Sequence, residues 1–167
     1  MVKKSNKNKK TQNPTSIQVA TNKKALFNYE ILDKFEAGVE LLGWEVKSAR
    51  MGTVNIGESF IQLIKAEQSG RAQALLKNSH FKKYKNTRGE EQDETRVRRL
   101  LLNRSEINKI HKAVTTKGVT VIALSIYFTS RGLLKAHIAV ARGKAKHDKK
   151  QTIKERDLDR AAKREEY

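Results

Sequence analysis

The chain has 167 residues with 36 Lys+Arg against 18 Asp+Glu, a formal net charge of +18. A small globule with that surplus repels itself unless a polyanion neutralises it, so nucleic acid leads as a partner and an anionic membrane surface follows. The lack of cysteine excludes disulfide scaffolds, thiol catalysis and Cys-containing zinc modules.

Residues 1–24 hold seven lysines, no acid and few apolar side chains, too little to offset the entropy of ordering, and read as a flexible basic arm. The arm lacks the apolar stretch of a signal peptide. Residues 25–141 carry the folding pattern. Phe27, Tyr29, Ile31 and Phe35 fall on alternate positions and predict a half-buried strand. Ala37-Gly38 breaks it, and Val39–Leu42 is expected to resume as the next strand. Trp44–Met51, between Gly43 and Gly52, predicts a short helix. Ser59–Lys65 and Arg71–Lys77 flank Glu67-Gln68-Ser69-Gly70 and read as a hairpin.

Asn103 and Glu106 have capping-box spacing, Ile107, Ile110 and Val114 recur at helical spacing, and Gly118 is expected as the glycine that ends the helix. Residues 119–129 and 133–141 form the clearest hairpin, turning at Ser130-Arg131-Gly132. Ile122, Leu124, Ile126 and Phe128 are expected on one face, opposite Leu134, Ala136, Ile138 and Val140. The run Val119–Phe128 is too short to span a bilayer. Residues 142–167 carry ten basic and six acidic residues, with helix-forming composition after Gln151. Ile153, Asp157 and Ala161 share i, i+4 spacing, so this tail is expected to be marginally helical alone and to complete its helix on a partner. Six short strands and two helices without βαβ alternation predict a mainly β fold, an antiparallel barrel of a kind that commonly binds oligonucleotides.

No phosphate-cradling glycine loop or metal-ligand cluster stands out, and neither cofactor nor metal is expected. His111 sits beside the helical stripe as a partly buried histidine would, and His137 shares the polar face of its strand with Lys135. Lys77, Lys82, Lys83, Lys85 and Arg88 interleave with His80, Phe81 and Tyr84. Arg96, Arg98, Arg99 and Arg104 cluster before the predicted helix. Cations that contact phosphates, interleaved with rings that stack on unpaired bases, suit single-stranded or looped RNA. His147-Asp148 lies within Gly143-Lys144-Ala145-Lys146-His147-Asp148-Lys149-Lys150, where an acid–base role in a nuclease stays open beside simple RNA binding.

Ordered strings resemble the SmpB family, the SsrA-binding proteins: Thr21-Asn22-Lys23-Lys24-Ala25, Tyr29, Phe35-Glu36-Ala37-Gly38 and Leu42-Gly43-Trp44-Glu45-Val46-Lys47-Ser48. They continue with Arg96, Arg98-Arg99-Leu100-Leu101-Leu102, the Gly143-Lys144 segment through Lys149, and Ile153-Lys154-Glu155-Arg156, covering about Ile17 to Asp157. The resemblance implies an OB-like barrel with two to three helices and a non-enzymatic, cytoplasmic adaptor. Its implied partners are transfer-messenger RNA, the small-subunit rRNA of the ribosome and, indirectly, elongation factor Tu, without a membrane. It further implies transfer-messenger RNA contacts at Asn22, Lys23, Lys24, Glu36, Leu101, Asn103 and Lys135. Lys144, His147, Asp148 and Lys149 correspond to the element that meets the decoding centre, and Ile153, Lys154, Glu155 and Arg156 to the tail helix. Leu26-Phe27-Asn28, Glu94, Ala145 and Leu158 depart from the family's usual residues.

Overall fold

A computed structural model describes residues 16–65, 72–85 and 91–145. In chain order these form β1 (Ile17–Thr21), α1 (Ala25–Asn28), β2 (Tyr29–Val39), α2 (Gly43–Arg50), β3 (Val54–Asn55), β4 (Phe60–Lys65) and β5 (Ala72–Lys77). They continue as β6 (His80–Phe81), β7 (Arg98–Leu101), α3 (Arg104–Val114), β8 (Val119–Phe128) and β9 (Leu134–Gly143). The large sheet runs β1-β8-β4-β5-β7-β2-β9, and β8 also pairs with β9, so six antiparallel strands close a ring. Closure removes sheet edges and leaves one interior face, the OB-like barrel that the sequence predicts.

The interior is filled by alternate residues of each strand. Ala37 and Val39 of β2, Leu100 of β7 and Ala136, Ile138 and Val140 of β9 point inward with Trp44 of α2 and Ile110 of α3. The same period of two sends Glu36 of β2, Arg99 and Leu101 of β7, and His137 of β9 outward. In α3 the Glu106 carboxylate accepts the Asn103 N–H at 2.8 Å, the expected capping contact.

Several expectations change. The arm does not extend to residue 24, because Ile17–Thr21 pairs antiparallel with β8 and Ala25 is buried. Gly38 does not break its strand, since β2 continues through it to Val39. A Cβ on Gly38 would lie 3.3 Å from Leu101 Cβ across the β2–β7 ladder, so the missing side chain lets Leu101 lie over the strand. Leu42 precedes α2 rather than ending a strand. The face expected on β8 is split by a bulge between Ala123 and Ser125. The extra residue reverses the alternation, so Ile126 and Phe128 share the main core with Val121 and Ala123. Ile122 turns instead to a smaller cluster with Ala25, Ala139 and Ala141. α3 ends at Val114, which is 40% exposed, and Gly118 makes a left-handed turn (φ 82°) into β8 instead of ending the helix. The proposed turn at 67–70 lies outside the described residues.

Candidate nucleic-acid interface

The outward face of β7, β2, β9 and β8 carries a polar network centred on Glu36. Register sets Glu36 opposite His137 and Gly38 opposite Lys135 across β2–β9, and Tyr127 opposite Lys135 across β8–β9. Lys135 Nζ and the Tyr127 hydroxyl both donate to the Glu36 carboxylate. His137 Nε2 stands 3.7 Å from Glu36 Oε2, its Nδ1 lies 3.1 Å from Ser125 Oγ, and its ring stacks on Tyr127 at 4.7 Å between centroids. The hydrogen bond from Lys135, then that from Tyr127, holds the Glu36 carboxyl below its ordinary range. Burial and then the hydrogen bond to Glu36 push the Tyr127 phenol upward, keeping it a neutral donor.

Gly38 joins this network to Leu101, which is 52% exposed although its strand neighbour Leu100 is 3% exposed. From Leu101 a groove of about 940 Å³ runs between β5, β7 and the start of α3, lined by Gln73, Arg99, Leu101, Asn103, Arg104 and Asn108. Glu36, Leu101, Asn103 and Lys135, far apart in sequence, are thus brought onto one continuous surface.

Of the other implied contacts, Lys144 follows the opposite end of the β2–β9 ladder, and Asn22, Lys23 and Lys24 follow β1, whose Thr21 pairs with Ser125 of β8. About seven residues at roughly 3.3 Å each separate Tyr29 from Glu36 along β2, on the order of 20 Å. Asn22 is buried beside β8: its amide nitrogen donates to Ala123 O at 3.2 Å and its backbone N–H to Leu124 O at 2.8 Å. Asn22 therefore fixes the turn that presents Lys23 and Lys24, both exposed. Lys144 joins them, its backbone N–H donating to Asn28 O at 2.9 Å and its Nζ to Leu26 O at 3.1 Å. The terminus of a short helix carries partial negative charge that suits this cation. His147, Asp148, Lys149, Ile153, Lys154, Glu155 and Arg156 lie outside the described residues.

Of the two basic clusters predicted from sequence, Lys82, Lys83 and Lys85 are exposed and Arg88 lies outside the described residues, whereas Arg96 and Arg98 are committed to the fold. Arg98 and Glu45 are both fully buried. Arg98 donates to Glu45 Oε1 at 2.9 Å and to the carbonyls of Ser79, Arg96 and Glu94 at 2.9, 2.7 and 3.0 Å. Its guanidinium lies 4.0 Å from the Phe81 ring centroid. Arg96 donates to Glu45 Oε2 at 2.6 Å, and the same oxygen accepts the Leu42 N–H at 2.7 Å. Phe81 is wholly buried and offers no face to a base, and Tyr84 packs under Lys47. His80 pairs with Glu94 at 2.7 Å, and Glu94 also accepts the Lys83 N–H at 2.7 Å. Arg99 and Arg104 remain exposed along the groove, whereas His111, expected to be partly buried, faces solvent. Tyr127 does not stand out in the sequence because it sits in an apolar strand; its register opposite Lys135 brings its hydroxyl to Glu36.

No group of His, Asp or Glu suited to a metal occurs among the described residues, and no helix among them is long and apolar enough to cross a membrane.

Known proteins are similar to this chain over most of its length. The family model described as SmpB protein matches residues 19–166. The SsrA-binding protein of Wolinella succinogenes is 47% identical over 146 residues, covering 87% of this chain and 93% of that protein. That of Neorickettsia sennetsu is 42% identical over 149 residues, covering 89% and 97%. A chain of a solved structure described as "tmRNA-SmpB: a journey to the center of the bacterial ribosome" superposes with a TM-score of 0.62 at 35% identity, covering 81% of this chain and 94% of that one.

Proposed function

The chain belongs to the SmpB family, and on that premise we propose that it is an RNA-binding adaptor for the tRNA-like domain of transfer-messenger RNA, delivering it to stalled ribosomes. The observation that carries this reading is the continuity of Glu36, Lys135, Leu101 and Asn103 over three strands and the start of α3. A surface that mixes an ionised carboxylate, an exposed leucine and amide groups with flanking arginines reads bases and riboses as well as phosphates, which suits a folded RNA with unpaired loops. Lys23, Lys24 and Lys144 form a second, phosphate-seeking contact.

The barrel carries the transfer-messenger RNA contact. Residues from His147 to Arg156 enter the decoding centre and message channel against small-subunit rRNA. Elongation factor Tu accompanies the delivered complex, and the protein acts in the cytoplasm without catalysis. Supporting this are the family membership and a net charge of +18 divided between the tails and the barrel.

Binding of labelled tRNA-like domain against a length-matched unstructured RNA, across a salt series, tests the reading. Selective binding that falls steeply with salt is expected. Equal affinity for both RNAs at physiological salt overturns it, and cleavage of the RNA by the pure protein overturns the non-catalytic role. Removing residues 146–167 should leave barrel binding largely intact while abolishing tagging on stalled ribosomes.

A further inference from the structure

We propose that His137 and Glu36 form a base-reading subsite in which an unpaired guanine stacks on the open face of the His137 imidazole and donates its N–H groups to Glu36. This rests on the adaptor reading above and adds the chemistry read at one point of that surface.

The imidazole is prepared as a platform. Tyr127 covers one face, Ser125 holds Nδ1 at 3.1 Å, and Glu36 approaches Nε2 at 3.7 Å, so the ring plane is fixed before any ligand arrives. The His137 side chain nevertheless stays 49% exposed, so its uncovered part is the face and edge away from Tyr127. A fixed, half-covered ring gives a base a stacking partner with little ordering cost.

The neighbouring charges favour a base over a phosphate. The Lys135 charge here is already paired with a carboxylate that is 42% exposed, and an incoming phosphate would be repelled by it. An ionised carboxylate is an acceptor only, with about four lone-pair sites on its two oxygens. Lys135 occupies one site on Oε1 and Tyr127 one on Oε2, leaving acceptor capacity on both oxygens. Guanine offers two adjacent donors, N1–H and the N2 amine, on one edge, which match two adjacent acceptors. Adenine offers an amine beside an acceptor on that edge and matches only one. An ion pair this exposed is worth at most about 1 kcal/mol to folding, so stability gives little reason for the arrangement.

The test uses the full-length protein and tRNA-like domain RNA. His137→Ala should weaken binding by roughly five- to a hundredfold, the span of one base–aromatic stack. His137→Phe keeps a ring and should stay within about threefold of the unsubstituted protein by the same stacking argument. Placing 2-aminopurine at each unpaired purine in turn should locate one position whose fluorescence change on binding is lost in His137→Ala and kept in His137→Phe. Inosine at that position removes the N2 amine and should weaken the unsubstituted protein but not Glu36→Gln.

Unchanged affinity in His137→Ala, equal loss in His137→Phe, or an inosine penalty that persists in Glu36→Gln overturns the subsite. If the unsubstituted protein does not prefer the tRNA-like RNA over its length-matched control, the adaptor reading itself has failed. If it does and His137→Ala binds equally well, only the subsite has.

Discussion

Glu45 and Glu36 each pair with a cationic side chain, and the two sites differ mainly in access to water. Glu45 is fully buried, shared by Arg98 and Arg96, with the Leu42 N–H on one oxygen. Glu36 has a side chain 42% exposed and keeps part of its acceptor capacity free. Burial commits the first carboxylate to the fold, because every lone pair must be satisfied from within. Exposure leaves the second able to exchange water for a ligand.

The largest expected effect tests the buried half of that contrast. Glu45→Ala leaves the Arg98 guanidinium, already pulled below its ordinary range by burial, without its counter-charge. It should cost about 3–5 kcal/mol of stability in urea unfolding. Glu36→Ala should cost less than about 1 kcal/mol in the same measurement. Comparable losses at the two positions would remove the distinction between them.

The second expectation reverses the order and concerns affinity. Losing hydrogen bonds to a charged group typically costs about 1.5–3 kcal/mol, so Glu36→Ala should weaken binding to tRNA-like RNA by roughly ten- to a hundredfold in filter binding. A surface-preserving change of similar size away from the network, Glu58→Ala, should leave affinity within about twofold. If Glu36→Ala binds as well as Glu58→Ala, the exposed carboxylate is not a reading group.

The contrast between these two glutamates also marks how far the sequence could be read. The β8–β9 hairpin and the start of α3 were legible because alternation and capping-box spacing are local patterns, whereas the β8 bulge and the end of α3 short of Gly118 were not. Arg96 and Arg98 were not, because sequence records a charge and not its burial; only the fold shows that Glu45, more than fifty residues away, has claimed them. β1 was missed for a related reason: five residues of moderate polarity inside a lysine-rich stretch become a strand only because β8 supplies an edge. Gly38 looked like a breaker because the residue that needs its empty space, Leu101, arrives from another strand. At the site, Glu36, Leu101, Asn103 and Lys135 were reached through resemblance. Tyr127 and His137 required the register of three strands.

A smaller effect separates the two kinds of lysine. Lys23 and Lys24 are exposed and make no ion pair with an acid among the described residues, so Lys23→Met or Lys24→Met should each reduce the slope of log affinity against log salt by about one. Lys135 is already paired with Glu36, and Lys135→Met should change the slope by less than one while still lowering affinity. A full unit from Lys135→Met would mean that its charge is released to a phosphate on binding.

The smallest effect is in pH. The Glu36 carboxyl titrates below its ordinary value of 4.5, so the folded state favours its ionised form. Its contribution to stability is therefore fully present above the unfolded value and is lost only as pH falls through the lowered folded one. The phenol of Tyr127, pushed upward, remains a donor through the neutral range and adds no titration there. His137→Phe removes the imidazole beside Glu36 and leaves Lys135 in place, so urea unfolding of His137→Phe with and without Glu36→Gln isolates the carboxylate. The stability difference between these two proteins should be constant from about pH 8 to 5 and shrink below that, because linkage follows the carboxyl alone. A difference that already declines between pH 8 and 6 would show that the carboxylate is not held ionised by Lys135 and Tyr127, and the acceptor on which base reading depends would not be in place.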